Sequence, residues 1–195
     1  MVASPMPALS RRITAEEFLW LPDTDGFELV DGELQEKAMG AHAAWVGSKL
    51  IQAIWAFPGR PSRSMVAGHE AGVTIWPENP RLLRKPDVLY YRPGRIEGPS
   101  IPEGWLSVVP DLVVEVISPR EDANALHRKI LDYRRAGVPT IWVIYPDSGT
   151  AEVWQGDRVG LIPPEGVLDG DAFLPGFRIS LAELLDQAEV VGPAS

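Results

Sequence analysis

One short segment limits the fold of this chain more than any other. Residues 112–117 read Leu-Val-Val-Glu-Val-Ile, so a single carboxylate interrupts an otherwise apolar run. A run of this length and composition is typical of a central strand that is covered on both faces. It therefore predicts an α/β domain, and it places the side chain of Glu115 in the protein interior.

The neighbouring segments supply the other elements of such a domain. Thr14 followed by Glu17 has the pattern of a helix capping box, and Asp31-Gly32 between two strand-like runs predicts a β-hairpin. Apolar spacing and Pro or Gly boundaries predict the remaining elements. We expect helices at 15–21, 41–57, 121–136 and 181–188, a hairpin over 27–36, and strands at 73–76, 87–91, 112–117, 140–145, 151–154 and 159–162. This order predicts a mixed sheet flanked by helices.

The length of the chain fits one domain. We expect that domain to span residues 13–188 of the 195, with a flexible N-terminal segment at 1–12 and a C-terminal tail at 189–195. The Pro- and Ala-rich N-terminus lacks the apolar segment of a secretory signal, and no apolar run has the length of a bilayer span. We therefore expect a cytoplasmic protein without membrane association.

Charge and cysteine content exclude several kinds of site. The formal net charge is −9, so binding to nucleic acid would require a local basic patch rather than a basic surface. The chain has no cysteine, which excludes disulfides, thiolate nucleophiles and thiolate metal centres. Phosphate-binding glycine loops, the Gly-x-Ser-x-Gly nucleophile motif and the His-Glu-x-x-His zinc motif are also absent from the sequence.

Two carboxylates lie within strand-like segments. Glu115 interrupts the apolar run, and Asp87 follows Pro86 at the start of another predicted strand. A buried ionised carboxylate requires a cation or a set of hydrogen-bond donors, because leaving it without a partner costs several kcal/mol. If the two carboxylates meet at one end of the sheet, Mg²⁺ between them would fit that ion's preference for a few carboxylate oxygens. The pattern alone favours this metal site and a simple ion pair with arginine equally.

The order of these motifs resembles that of a known family. Pro86-Asp87 followed by a strand that carries Glu115 resembles the PD-(D/E)XK pattern of restriction-endonuclease-like nucleases. More narrowly, the chain resembles the Uma-type family of bacterial proteins described as endonucleases. The segments that carry this resemblance, in the family's order, are 13–18, 27–34, 84–88, 110–119, 129–139 and 141–146.

The resemblance implies a fold, an activity and a cofactor. The fold would be a restriction-endonuclease-like mixed sheet flanked by helices, and the activity would be Mg²⁺-dependent hydrolysis of DNA phosphodiester bonds, with Mn²⁺ as a possible substitute. The metal ligands would be Asp87 and Glu115, with Glu28 as an outer or second-metal ligand.

The catalytic lysine is the main departure from the nuclease motif. That motif has a lysine two residues after the acid, where this chain has Ile117. The Uma-type pattern implies instead a lysine on the following helix, which matches Lys129 and places its amine within about 4 Å of Glu115. Lys85 is the competing residue, because it lies two positions before Asp87 and so shares its strand face.

Further residues are expected around this centre. His42 matches a frequent family position, and Tyr133 shares the inward helix face with Lys129; we expect both to lie behind the residues that bind the metal. The expected contacts to DNA phosphates are basic residues near the site, namely Arg84, Lys85, Arg128 and Lys49.

Two other functions remain open from the sequence. One is a nucleic-acid-binding or regulatory module that has kept the fold and lost catalysis, which the net charge of −9 and the missing strand lysine favour. The other is a protein-interaction domain whose acids are merely ion-paired and bind no Mg²⁺ or Mn²⁺.

The tryptophan content predicts a homodimer. Seven tryptophans in 195 residues are more than one small core accommodates easily, so some are expected to face a second copy of the chain.

Overall fold

A computed structural model describes residues 11–37, 40–98 and 100–187. The helices are α1 (Ala15–Leu19), α2 (Ala41–Ala56), α3 (Ala123–Arg135) and α4 (Leu181–Leu185). The strands are β1 (Phe27–Val30), β2 (Glu33–Glu36), β3 (Met65–Gly68), β4 (Val88–Tyr91), β5 (Leu112–Val116), β6 (Thr140–Tyr145), β7 (Thr150–Gln155), β8 (Arg158–Ile162), β9 (Val167–Asp169) and β10 (Arg178–Ser180). None of the helices in these ranges is long and apolar enough to cross a membrane.

The main sheet has six strands in the order β3-β4-β5-β6-β7-β8. Strand β5 lies inside it, antiparallel to β4 and parallel to β6, and each of its five residues is buried. The parallel pair is joined by α3, as parallel neighbours require a crossover connection. The structure thus confirms the mixed α/β single domain that the apolar run predicts.

Helices cover the two faces of this sheet. On one face, Val114 and Val116 of β5 belong to the core cluster that contains Val46 and Leu50 of α2. On the other face, Val113 lies in the cluster that contains α3 residues. Because side chains alternate along a strand, Glu115 points to the same face as Val113, beneath α3.

The β1–β2 hairpin is attached to the segment that precedes β4. Asp31 and Gly32 both have positive φ, 51° and 83°, as expected for an Asp-Gly hairpin turn. Leu29 and Leu83 exchange two backbone hydrogen bonds, with N–O distances of 3.1 and 2.8 Å. This pairing fixes Glu28 against the residues that lead into β4.

Some element boundaries differ from the sequence expectations. Residues 73–76 do not form a regular strand, since Val73 makes only isolated bridges with Arg84 and Leu106. The edge strand is instead β3, which was not predicted because its Ala-Gly sequence gives a weak strand signal. Strands β9 and β10 were also not predicted. The expected C-terminal helix ends at Leu185, and residue 188 lies outside the described ranges.

Candidate active site

Asp87, the residue directly before β4, lies near Glu115 of β5. Val88 is paired with Val114 in the antiparallel β4–β5 register, and Asp87 donates its backbone N–H to Val114 O at 3.0 Å. The Asp87 carboxylate is close enough to Glu115 to add to the rise in the pKa of that acid. Asp87 Oδ2 accepts a hydrogen bond from the backbone N–H of Val116 at 2.7 Å, which fixes the carboxylate at the end of β5. The structure therefore brings together the two acids that the sequence analysis selected.

A lysine that the sequence analysis did not select contacts Asp87. Lys37 Nζ lies 2.7 Å from Asp87 Oδ1 and donates a second hydrogen bond to the carbonyl oxygen of Lys85 at 2.5 Å. The backbone N–H of Lys37 bonds to Gly26 O at 2.7 Å, which extends the hairpin past β2 and holds the lysine beside β4. With its side chain 5% exposed, Lys37 is a buried cation of the site.

Helix α3 supplies two partners to Glu115. Lys129 and Tyr133 are four residues apart, so they share one face of the helix. The Tyr133 hydroxyl donates to Glu115 Oε1 at 2.8 Å, and Lys129 Nζ lies 3.5 Å from Glu115 Oε2. The amine is thus within the expected 4 Å of the carboxylate. Ile117 packs against the apolar cluster on this same face and leaves the strand position of the general nuclease motif without a charge.

Glu28 joins the cluster from the hairpin. Its Oε1 lies 3.6 Å from Lys129 Nζ and accepts the backbone N–H of Lys85 at 3.0 Å. Its Oε2 lies 2.9 Å from a terminal guanidinium nitrogen of Arg84. Both oxygens have partners and the side chain is 3% exposed, so Glu28 helps to hold Lys129 in place; its expected role as an outer or second-metal ligand stays a prediction.

Two further acids complete the cluster. Glu121 Oε1 lies 3.4 Å from Lys129 Nζ, and Asp132 Oδ2 lies 2.6 Å from Arg84. The sequence analysis selected neither of them. The turn from Ser118 to Glu121, closed by a 2.9 Å backbone hydrogen bond, directs Glu121 toward the helix face that carries Lys129.

Burial and neighbouring charges perturb the ionisation of these groups. Burial raises the pKa of Glu115 to about 7; Lys129 and Lys37 counteract the rise, while Asp87 and Glu28 add to it. Burial also acts to raise the pKa of Glu28, but Lys129, Arg84 and Lys37 outweigh it and the pKa is lowered. For Lys129, burial acts to lower the pKa, but Glu115, Glu28 and Glu121 outweigh it and the pKa is raised. Lys129 is therefore a permanent cation at neutral pH.

The charges in this cluster do not balance. When all are ionised, five carboxylates face three cations, which leaves two negative charges uncompensated. The carboxylates are Asp87, Glu115, Glu28, Glu121 and Asp132, and the cations are Lys37, Lys129 and Arg84. An excess of two negative charges beside two adjacent carboxylates fits a divalent cation with oxygen ligands.

Within the described ranges, however, no group of three or more acidic or histidine side chains is arranged to hold a metal ion. Asp87 and Glu115 fit Mg²⁺ only as a pair, which that ion accepts together with water or phosphate oxygens.

The expected DNA contacts occupy three different environments. Arg84 and Lys85 are buried, with side chains 3% exposed, and Lys85 Nζ pairs with Glu70 at 3.0 Å. Both cations are already paired with carboxylates, and their expected contact with DNA phosphates stays a prediction. Lys49 Nζ is bonded to the carbonyl oxygens of Glu183 and Asp186 at 2.6 and 3.0 Å, and this contact binds α2 to the C-terminal helix.

Arg128 and His42 have no contact with the acids. Arg128 is exposed on α3, so it stays available for phosphate. His42 Nε2 lies 3.0 Å from Gln187 Nε2, and its ring is 6.1 Å from that of Trp45. The observed partners of His42 thus lie in the next turn of α2 and in the C-terminal segment, and its expected place behind the metal-binding residues stays a prediction.

The family of the chain follows from comparison with known sequences. The sequence profile of the Uma2 family, whose description is "Putative restriction endonuclease", matches residues 15–182. The chain belongs to the Uma2 family. The matched range contains all five carboxylates and all three cations of the cluster, from Glu28 to Asp132.

A solved structure has the same fold. The crystal structure of a protein from Anabaena variabilis, described as "a putative nuclease belonging to DUF820", superposes on this Uma2-family chain with a TM-score of 0.72. The two sequences are 22% identical, and the match covers 89% of this chain and 97% of the other. Among curated protein sequences, none matches this chain.

Proposed function

We propose that this Uma2-family chain is a metal-dependent endonuclease that hydrolyses phosphodiester bonds of DNA. The observation that carries the proposal is the pair of neighbouring carboxylates, Asp87 and Glu115, where β4 begins and β5 ends, flanked by the buried amines of Lys37 and Lys129. Membership of a family described as restriction endonucleases supports this interpretation.

Asp87 and Glu115 are the residues that would hold the metal, with Mg²⁺ as the proposed ion and Mn²⁺ as a substitute. When bound, such an ion polarises a phosphoryl oxygen and lowers the pKa of a bound water. When all of its carboxylates are ionised, the cluster has two uncompensated negative charges, which supports a divalent ion. The backbone N–H of Val116 holds one Asp87 oxygen in place, and the Tyr133 hydroxyl does the same for Glu115.

Lys129 is the proposed catalytic amine. Its three carboxylate neighbours keep it protonated, and its contacts with Glu28 and Glu121 fix the ammonium beside Glu115. From there it would orient the attacking water and stabilise the negative charge that develops on the phosphorus oxygens. Lys37 offsets the charge of Asp87. Because it is a second buried amine at the site, separate substitutions of Lys37 and Lys129 are needed to tell their roles apart.

A nucleic-acid-binding module without catalysis is the second candidate. The observation that favours it is the Lys37–Asp87 contact of 2.7 Å, since an ammonium already neutralises an oxygen of the first acid. In that case, Lys37 would replace a metal ion rather than assist it.

Cleavage of plasmid DNA distinguishes the two candidates. The wild-type protein is expected to nick or linearise plasmid with Mg²⁺ or Mn²⁺ and to leave it intact with EDTA. Asp87→Asn should be inactive, whereas Arg158→Gln, on an exposed part of β8, should retain activity. Plasmid retardation without cleavage in either metal would support the binding module instead.

A homodimer and a cytoplasmic location are also proposed. Two of the seven tryptophans, Trp20 and Trp55, are 80% and 51% exposed, which supports an interface with a second copy. Light scattering at micromolar concentration should give twice the mass of 21.4 kDa, and a monomer mass would contradict the proposal.

A further inference from the structure

The N-terminus of α2 lacks a side-chain cap. Its N-cap residue is Gly40, which has no side chain, and the helix continues for 16 residues, to Ala56. Within the described ranges, the backbone N–H groups of residues 41–43 have no acceptor in the protein. Free N–H groups at the start of a long helix attract anions, because the helix dipole places partial positive charge there.

A buried serine hydroxyl lies at this helix end. Ser118 is 6% exposed, and in the described part of the chain its Oγ has no hydrogen-bond partner. A Cβ added to Gly40 would lie 3.1 Å from Ser118 Oγ, so the hydroxyl adjoins the helix N-cap. A buried hydroxyl without a partner is uncommon in proteins and suggests a missing ligand.

Gly40 and Ser118 line a cleft of about 690 Å³. Lys37, which contacts Asp87, forms part of its lining, and so does Arg120, whose side chain is exposed. Asp25 and Glu36 line the cleft as well. Because those carboxylates repel anions, an anion in the cleft would lie at the end formed by Gly40, Ser118 and Arg120.

We propose that the α2 N-terminus, Ser118 Oγ and Arg120 form a binding subsite for a backbone phosphate of the nucleic acid substrate. The subsite rests on the proposed function and adds to it the point at which the strand is held. A phosphate there would receive hydrogen bonds from the helix N–H groups and the serine hydroxyl, with Arg120 supplying charge from the surface. Lys37 lines the same cleft and contacts Asp87, so the anchored phosphate would belong to the strand that is presented to the two acids.

The first test uses inorganic phosphate and no metal. Isothermal titration calorimetry of the full chain in EDTA, at constant ionic strength, is expected to detect millimolar binding of phosphate. Ser118→Ala should weaken it about tenfold, since one hydrogen bond to a charged ligand is lost. Ser62→Ala, at an exposed serine, is the matched control. Ser118→Ala should not lower the melting temperature, because it removes a hydroxyl that lacks a partner. No binding of phosphate, or equal binding by both variants, would overturn the subsite.

A second variant blocks the same place by a different route. Gly40→Asp puts a carboxylate at the N-cap of α2, beside Ser118 Oγ, where the anion would bind. The folded variant should no longer bind phosphate. Unchanged phosphate binding by the folded variant would contradict the subsite.

The second test uses a DNA duplex in EDTA. Arg120→Gln should weaken duplex binding and reduce the salt slope by about 1, as expected for the loss of one phosphate contact. Arg158→Gln is the control for a lost surface charge. If Ser118→Ala weakens binding of inorganic phosphate alone and not of the duplex, the assignment to backbone phosphate is wrong. If the wild type cleaves DNA, but Ser118→Ala and Arg120→Gln bind the duplex as tightly as the wild type does, the subsite is wrong and the proposed endonuclease stands. Loss of duplex binding in these variants, with no cleavage in any metal by the wild type, would support the subsite and remove the endonuclease.

Discussion

Replacing Glu115 by glutamine should change how the stability of the metal-free protein depends on pH. The folded protein raises the pKa of Glu115 from 4.5 to about 7, chiefly through burial. Each pKa unit corresponds to about 1.4 kcal/mol, so ionising this carboxyl costs the folded state about 3 kcal/mol relative to the unfolded chain. Glu115→Gln removes the titrating proton while keeping the side-chain shape.

The sign of the effect follows from which state binds the proton. Below about pH 4.5, Glu115 is protonated in both states and destabilises neither. Between pH 4.5 and 7 the unfolded chain loses the proton first, so the free energy of unfolding falls as pH rises. Above pH 7 the loss is complete. The free energy of unfolding of Glu115→Gln minus that of the wild type should therefore increase by about 3 kcal/mol between pH 4.5 and 8.

Urea unfolding in EDTA at several pH values measures this difference directly. Comparing the two proteins cancels the contribution that the other titratable groups make to the pH dependence. Glu165→Gln, at an exposed position, is the matched control. The reasoning is refuted if the difference for Glu115→Gln does not vary with pH, because the carboxyl would then titrate alike in both states.

Three further outcomes are expected. Lys129→Met should abolish plasmid cleavage and lower the free energy of unfolding by about 3–5 kcal/mol, because several buried carboxylates lose their shared cation; unchanged cleavage in a folded variant would remove Lys129 from the mechanism. Lys37→Met should alter metal affinity, measured by Mn²⁺ titration, since it frees an Asp87 oxygen; equal affinities would separate Lys37 from the metal site. Asp111→Asn should destabilise the protein by about 1–3 kcal/mol, because the Asp111 carboxylate accepts the backbone N–H of Arg92 and pairs with Arg95. Burial acts to raise the pKa of Asp111, but Arg95 and Arg92 outweigh it and the pKa is lowered. The contribution of Asp111 to the free energy of unfolding is therefore present above its ordinary pKa near 3.8 and is lost as pH falls. Thermal unfolding at pH 3 and 7 checks this direction.

The sequence could predict those parts of the site that follow from local periodicity. Strand alternation puts Glu115 on one face of β5, and helical spacing puts Lys129 and Tyr133 on one face of α3. The short α3 crossover then brings the two faces together. For this reason, the contacts of Lys129 and Tyr133 with Glu115 match the expected neighbours of that acid.

Contacts between segments far apart in the chain were beyond the same reasoning. Lys37 reaches Asp87, 50 residues later, only because the β1–β2 hairpin docks against the segment before β4. The same docking buries Arg84 against Glu28, which is why a basic residue next to the predicted strand became a structural ion pair rather than a surface contact. The only local signal for Lys37 was the scarcity of lysine, four in the whole chain.

Diffraction from crystals of the wild-type protein soaked in Mn²⁺ tests the metal-binding pair most directly. Anomalous scattering locates manganese without assumptions about the ligands. We predict one peak within about 2.5 Å of carboxylate oxygens from both Asp87 and Glu115, with the Lys37 amine displaced from Asp87. Absence of a peak at saturating Mn²⁺, with Lys37 still bonded to Asp87, would contradict a metal-dependent nuclease centre at these residues.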